Sequence, residues 1–267
     1  MKKSFPGLIF GIALSLAPVA QAADAAMTLD QAFEVIQSKE WVDLTNTVGV
    51  STPIWSGFGQ MTISAASDPV THEPYTIEKH GFHTMFVSTV GQNGTHVDPP
   101  AHFAADGLTM DKIPLKQMIL PLVVFDDTKF FAQDANHALT VDDVKAWEGV
   151  HGPVPKGAFA ALRTDMYKDW NSDPAKFMRA PFPAWTLDAV KYLFETRGVT
   201  AIGHEALDTD TTATMDSETW LLKNGHYQIE VMANLDKVPE TGAVIVVTWP
   251  KIENGYGFMA RAFAILP

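Results

Sequence analysis

Short apolar runs recur along the chain at residues 82–90, 118–125, 157–163, 199–203, 227–231, 242–249 and 259–266, and each reads as a β-strand. The run 118–125 is continuously apolar but contains Pro121, so it reads as a buried strand flawed at that residue. Helical spacing falls between the runs. Over 28–41, Thr28 and Gln31 have capping-box spacing, and Leu29, Phe33 and Ile36 share one face. Thr140 caps a helix with Val141, Val144 and Trp147 on one side. Another helix starts at Thr186 and runs to Arg197, with Gly198 as its C′ residue, and 217–224 forms a short helix closed by Gly225. Strands alternating with helices predict an α/β fold.

Two stretches lack this periodicity. Residues 59–80 are polar and turn-rich, and are expected to form a β excursion or a lid. Residues 166–183 are rich in Pro and charge, and either cover a site or only connect elements. There is no internal repeat.

Composition narrows the class. The chain has 267 residues, 46% hydrophobic and 19% charged, enough to bury a substantial core as one domain. A formal charge of −12 and a pI near 5.1 argue against nucleic acid or an anionic membrane surface as partner, and leave a small-molecule substrate. With no cysteine there is no disulfide, thiolate nucleophile or Cys-ligated zinc. Residues 1–22 read as a secretory signal: Lys2 and Lys3, an apolar stretch over 8–20, then Ala20-Gln21-Ala22 as a small-x-small cleavage site. The apolar stretch is short for a membrane span. Cleavage after Ala22 leaves 23–267 as a periplasmic or secreted domain with no membrane attachment.

The chemistry concentrates at 91–103, Gly-Gln-Asn-Gly-Thr-His-Val-Asp-Pro-Pro-Ala-His-Phe. In extended backbone His96 and Asp98 point the same way, and an imidazole with a carboxylate on one face suits a divalent cation. Gly94 permits a tight turn, and Pro99 with Pro100 stiffens the exit. His102, four residues past Asp98, is placed for general acid–base work. A polar loop with Asp98 capping backbone N–H groups is the ordinary alternative. Glu230 sits inside an apolar β run, where a carboxylate is costly unless paired or metal-bound. Trp55 and Phe58 either line a pocket or pack in the core. His204, Asp208 and Asp210 follow a short strand, where they line a site, support a metal from behind or cap the loop.

The stretch at 91–103 resembles the H-x-G-T-H-x-D-x-P-x-H signature of the metal-dependent cyclase family, which includes bacterial kynurenine formamidases and isatin hydrolases. Gly94, Thr95, His96, Asp98, Pro100 and His102 match, while Gln92 replaces the first His. Asp43, Leu44 and Thr45 match the family's D-L-[ST]-H opening, with Asn46 in place of His. Leu221, Leu222, Gly225, Glu230, Asn234, Leu235 and Asp236 match a later segment in which Glu218 replaces a His. Glu205 replaces the Asp of a G-I-D-x-x-S-x-D loop, and Arg261 lies in an A-R-A-x-A ending. The resemblance runs from about Trp41 to the C-terminus.

It implies a swivelling β/β/α fold in a homodimer or homotetramer, with His96, Asp98 and Gln92 as metal ligands. A carbonyl ligand from Gln92 shifts preference toward harder ions, so Mn or Zn is expected, with Mn favoured. His102 and Glu230 become the catalytic pair, and Glu218, Trp55 and His204 face the substrate or a second metal. The expected activity is metal-assisted hydrolysis of an amide, lactam or lactone carbonyl bond. Two alternatives stay open: a non-catalytic periplasmic small-molecule binding protein on the same fold, and a cyclase or dehydratase using the same site.

Overall fold

The computed structural model describes residues 1, 3, 27–135, 137–211 and 213–267. Of the expected signal segment, 4–22 and Lys2 lie outside the described residues. The chain divides into two compact units, Met1–Ser38 and Lys39–Pro267. In the first, the helix is Leu29–Gln37, shorter than 28–41, and its Thr28 and Gln31 form the expected capping box. Among the described residues, no helix is long and apolar enough to cross a membrane.

The second unit is a mixed α/β domain. Its strands are β1 (Trp41–Asp43), β2 (Thr62–Ala65), β3 (Met85–Ser88), β4 (His96–Asp98), β5 (Ile119–Asp126), β6 (Ala138–Leu139) and β7 (Phe159–Arg163). They continue as β8 (Ala184–Trp185), β9 (Ala201–His204), β10 (Tyr227–Glu230), β11 (Ala243–Thr248), β12 (Phe258–Met259) and β13 (Arg261–Ile265). Among the described residues, the main sheet has nine strands in the order β1-β13-β11-β5-β7-β9-β10-β4-β12. β5, β7, β9 and β10 run parallel, and antiparallel strands flank them on both sides.

Both faces of this sheet are covered, which is why its strands read as apolar runs rather than alternating ones. One face buries Leu44, Val97, Leu122, Val124, Ile229 and Ile245. The other packs Val123, Phe125, Ala160 and Ile202 against Trp147, Leu193 and Leu221 of the helices. The helix Val141–His151 starts at a capping box between Thr140 and Asp143, and buries Val144 and Trp147. The helix Leu187–Lys191 continues as a wider π turn over Tyr192–Arg197 and stops at left-handed Gly198.

Pro121 is accommodated because β5 pairs with β7 only from Leu122 onward, so the proline has a partner on β11 alone. The stretch 59–80 is indeed a β excursion: β2 pairs with β3 in a separate ribbon, joined by the short helix Ile77–His80. The run 82–90 therefore does not deliver the His96 segment as a strand of the main sheet. It belongs to the ribbon, and His96–Asp98 is itself the strand.

Gly203 sits on β9 between β7 and β10, where a Cβ would meet Met232 Sδ and Phe159 Cζ at 2.6 Å and the Ile229 carbonyl oxygen at 2.8 Å. The carbonyl belongs to the neighbouring strand and cannot withdraw. Gly203→Ala should cost about 1–3 kcal/mol of stability, read as a lower denaturation midpoint at unchanged slope.

Candidate metal centre

The site is a grid of cross-strand pairs. β4 and β10 are antiparallel neighbours, with Glu230 opposite His96 and Gln228 opposite Asp98. The alternation of side chains puts these four on one face, while Val97 and Ile229 point into the apolar layer on the other. His96 Nε2 lies 3.3 Å from Asp98 Oδ2 and 3.5 Å from Glu230 Oε2. One donor atom from each of the three residues falls within 4.8 Å of the others, and all three residues are buried.

Local backbone holds this arrangement. Gly94 has φ +65°, and a Cβ there would meet Val48 Cγ1 at 2.2 Å. Thr95 Oγ1 donates to the Val231 carbonyl at 2.6 Å and accepts from Asn46 N at 2.9 Å, and Asn46 Nδ2 also donates to Val231 O at 2.9 Å. Val231 itself has φ 55°, a strained value for a β-branched residue. The chain thus turns sharply after Glu230, fixed by two side chains from other segments. Asn46 and Thr95 are tied to this turn.

His102 stands on the short 3₁₀ turn Pro100–His102, with Nε2 3.9 Å from Asp98 Oδ1 and its side chain 31% exposed. The helix Asp216–Lys223 brings in Glu218. Asp210 positions it, accepting from Ser217 N at 2.9 Å and Glu218 N at 3.1 Å. Gln228 Nε2 then donates to Glu218 Oε1 at 3.2 Å, Asp98 Oδ2 at 3.3 Å and Glu230 Oε1 at 2.9 Å.

These groups open on a cavity of about 840 Å³. Its walls include Ile54, Trp55, Phe58, Met178, Phe182, Leu207 and Met215, with Gln92, His96, Asp98, His102, Glu218 and Glu230 also lining it. Trp55 and Phe58 pack edge to face at 5.0 Å. The stretch 166–183 contributes Met178, Ala180 and Phe182, so it lines the cavity rather than only connecting elements. Gln92 donates through Nε2 to the Tyr256 carbonyl at 3.2 Å. His204 is fully buried and does not line the cavity; its Nε2 lies 3.3 Å from Thr209 Oγ1 and 3.5 Å from Glu230 Oε1. Burial lowers its pKa to about 4, so it is a neutral imidazole. Glu205 turns toward Thr164, whose N–H donates to Oε2 at 2.8 Å.

Charge decides what this site is for. Burial, then the neighbouring Glu230, pushes the Glu218 carboxyl up to about 11. Burial, then Asp98, raises Glu230 well above the usual carboxylate range. For His96 burial acts downward, but the Asp98 carboxylate outweighs it and raises the pKa to about 9. Asp98 stays below its ordinary value because His96 offsets the burial. The cluster retains protons that a divalent cation would displace.

The donor set fits such a cation in two further ways. His96 Nδ1 lies 2.8 Å from the Gly94 carbonyl, which can only accept. Nδ1 therefore carries hydrogen, and in the neutral ring Nε2 presents its lone pair toward Asp98 and Glu230. Asp98 Oδ1 is buried with no hydrogen-bond partner.

Gln228 and Thr209 escaped the sequence reading. The signal for Gln228 was available: it lies two residues before Glu230 on a strand and so shares its face.

Over residues 42–211 the chain matches the model of the family described as "Putative cyclase". It is 31% identical over 249 residues to an isatin hydrolase of Roseibium aggregatum, covering 85% of this chain and 92% of that protein. It is 26% identical over 228 residues to a kynurenine formamidase of Erythrobacter litoralis, covering 85% and 93%. Among solved structures it resembles an isatin hydrolase bound to the product analogue thioisatinate, with TM-score 0.80, 28% identity, and 90% of this chain and 100% of that one covered. Isatin hydrolase A from Ralstonia solanacearum gives TM-score 0.79 and 29% identity, with 92% and 100% covered.

Cation uptake should release protons, because His96 would bind a metal as the neutral ring and Glu230 as the ionised carboxylate. Mn²⁺ affinity should rise with pH throughout the range below about 9, where His96 still holds its proton. Calorimetric titrations in two buffers of different ionisation enthalpy count the protons. An affinity independent of pH over that range would contradict the assignment.

Proposed function

The chain belongs to the cyclase family, and we propose that it is a metal-dependent hydrolase that opens a cyclic amide carried on an aromatic ring. The observation that carries this reading is the convergence of His96, Asp98 and Glu230 at the base of an aromatic-walled cavity with His102 beside them. Its similarity to isatin hydrolases, which extends along most of both chains, supports the amide class.

His96 Nε2, the Asp98 carboxylate and Glu230 Oε2 would hold the cation, which supplies Lewis-acid polarisation of a carbonyl and brings the pKa of water down to about 7. Gln92 lines the same cavity and would add a carbonyl oxygen as ligand. Trp55, Phe58 and Phe182 hold the ring of the substrate and keep bulk water from its face. His102 Nε2 takes a proton from the water as its oxygen bonds to the carbonyl carbon, and returns that proton to the nitrogen as the C–N bond breaks. Asp98 Oδ1, facing His102, stabilises the imidazolium in between. Glu218 lines the same cavity and hydrogen-bonds the substrate. A lactone would follow the same course with oxygen leaving. Mn is the favoured ion over Zn.

Export belongs to the same proposal. Cleavage after Ala22 releases a periplasmic or secreted enzyme that assembles as a homodimer or homotetramer, without nucleic acid or membrane as partner. Intact mass of the secreted form would begin at Ala23.

The test is turnover of isatin, simple lactams, lactones and N-formyl arylamines by Mn-loaded protein. Turnover of isatin or another aryl lactam is expected; none with any member of the panel would leave the small-molecule binding protein as the reading. His102→Ala should lower kcat by about 10²–10⁴-fold while metal content is unchanged. Retention of more than about a tenth of the activity would remove His102 from the proton transfer.

A further inference from the structure

The most unusual feature of the site is the amide of Gln228. It is fully buried, and its nitrogen lies within 3.3 Å of oxygens from Asp98, Glu218 and Glu230. Three carboxyl oxygens from three residues converging on one atom is the donor arrangement of a hard divalent cation, not of an amide with two hydrogens. The same three carboxyl oxygens set the orientation of the amide. Thr209 Oγ1 donates to Gln228 Oε1 at 2.7 Å, and Thr209 is itself within 3.3 Å of His204 Nε2. An amide turned the other way would aim its oxygen at three carboxyl groups.

The strand register makes this position unavoidable. Gln228 is the cross-strand partner of Asp98, so its side chain must lie beside that carboxylate, on the side toward Glu218. On the other side, Asp98 Oδ2 and Glu230 Oε2 face His96. The carboxyl groups of Asp98 and Glu230 therefore stand between two positively polarised points: the position at His96 and the amide nitrogen.

We propose that the Gln228 amide nitrogen occupies the place of a second cation and limits the site to one metal ion. The inference rests on the reading that His96, Asp98 and Glu230 hold the first. Gln228 supplies hydrogen-bond donors at a point where the fold has gathered carboxyl oxygens, and its bulk keeps an ion out. Without it, Asp98, Glu218 and Glu230 form an oxygen-rich pocket in which the neutral Thr209 hydroxyl, 3.1 Å from Glu230 Oε1, is left as a donor. Gln228→Ala gives that pocket room, and Gln228→Glu adds a further carboxylate at nearly the same volume.

The experiment is Mn²⁺ content by elemental analysis after equilibrium dialysis, with calorimetric titration, on the whole mature protein and both variants. One ion per chain in the unsubstituted protein and two in either folded variant is the expected result. One ion in the unsubstituted protein and still one in both folded variants would overturn the role of Gln228 and leave the first site intact. Two ions in the unsubstituted protein would overturn it as well, since the amide then blocks nothing. No ion in the unsubstituted protein would overturn the metal reading itself. Should neither variant fold, the unsubstituted protein decides: a single binding event persisting to millimolar Mn²⁺ supports the inference, and a second event on the same chain overturns it.

Discussion

Three carboxyl groups and an imidazole share a point from which water is largely excluded, on two neighbouring strands and one helix end. Carboxylates brought together under burial cannot all ionise unless a positive charge meets them. Without a cation, Glu218 and Glu230 keep their protons, and His96 carries the charge that lets Asp98 ionise. The surrounding structure is built to hold this costly arrangement still. Val231 is bent into a positive φ by Thr95 and Asn46, Gly94 closes against Val48, and Asp210 pins the first turn of the helix that carries Glu218. A fold that holds mutually repelling groups at fixed distances has prepared the place of a cation in advance.

How far this was legible in the sequence depended on length and period. The long strands and capped helices were readable because burial on both faces leaves uninterrupted apolar runs, because Thr140 opens one helix, and because Thr186 and Gly198 bound another. The α/β class follows from their alternation. The strand His96–Asp98 is three residues long, between a positive-φ glycine and a proline pair, and no periodic signal survives at that length. The nearest apolar run, 82–90, forms β3, which pairs in a separate ribbon and not beside the site. Residue type marked His96, Asp98, His102 and Glu230. Which of them touch is decided by the β4–β10 register, a pairing between segments more than a hundred residues apart. Gln228 shares the face of Glu230 by its spacing of two, but its approach to Asp98 and Glu218 depends on the same register and on the placing of a helix.

The departures from the family pattern acquire physical content in the structure. Gln92 stands where a His is expected, and its amide reaches the Tyr256 carbonyl, close to Gly257, where a Cβ would meet the Gln92 amide nitrogen at 2.1 Å. Asn46, again in place of a His, serves the Val231 turn rather than the cavity. Glu218 replaces a third His with an acid, and the site answers with the amide of Gln228 rather than with another charge. Each substitution is absorbed locally, so the strand grid around His96 and Asp98 is left as it is.

The most direct test of this account is an anomalous-difference map from crystals of the protein grown with Mn²⁺. The account predicts one strong peak, at bonding distance from His96 Nε2, Asp98 and Glu230 together. A peak ligated through Gln92 with Glu230 turned away, or no peak at this position, would contradict it.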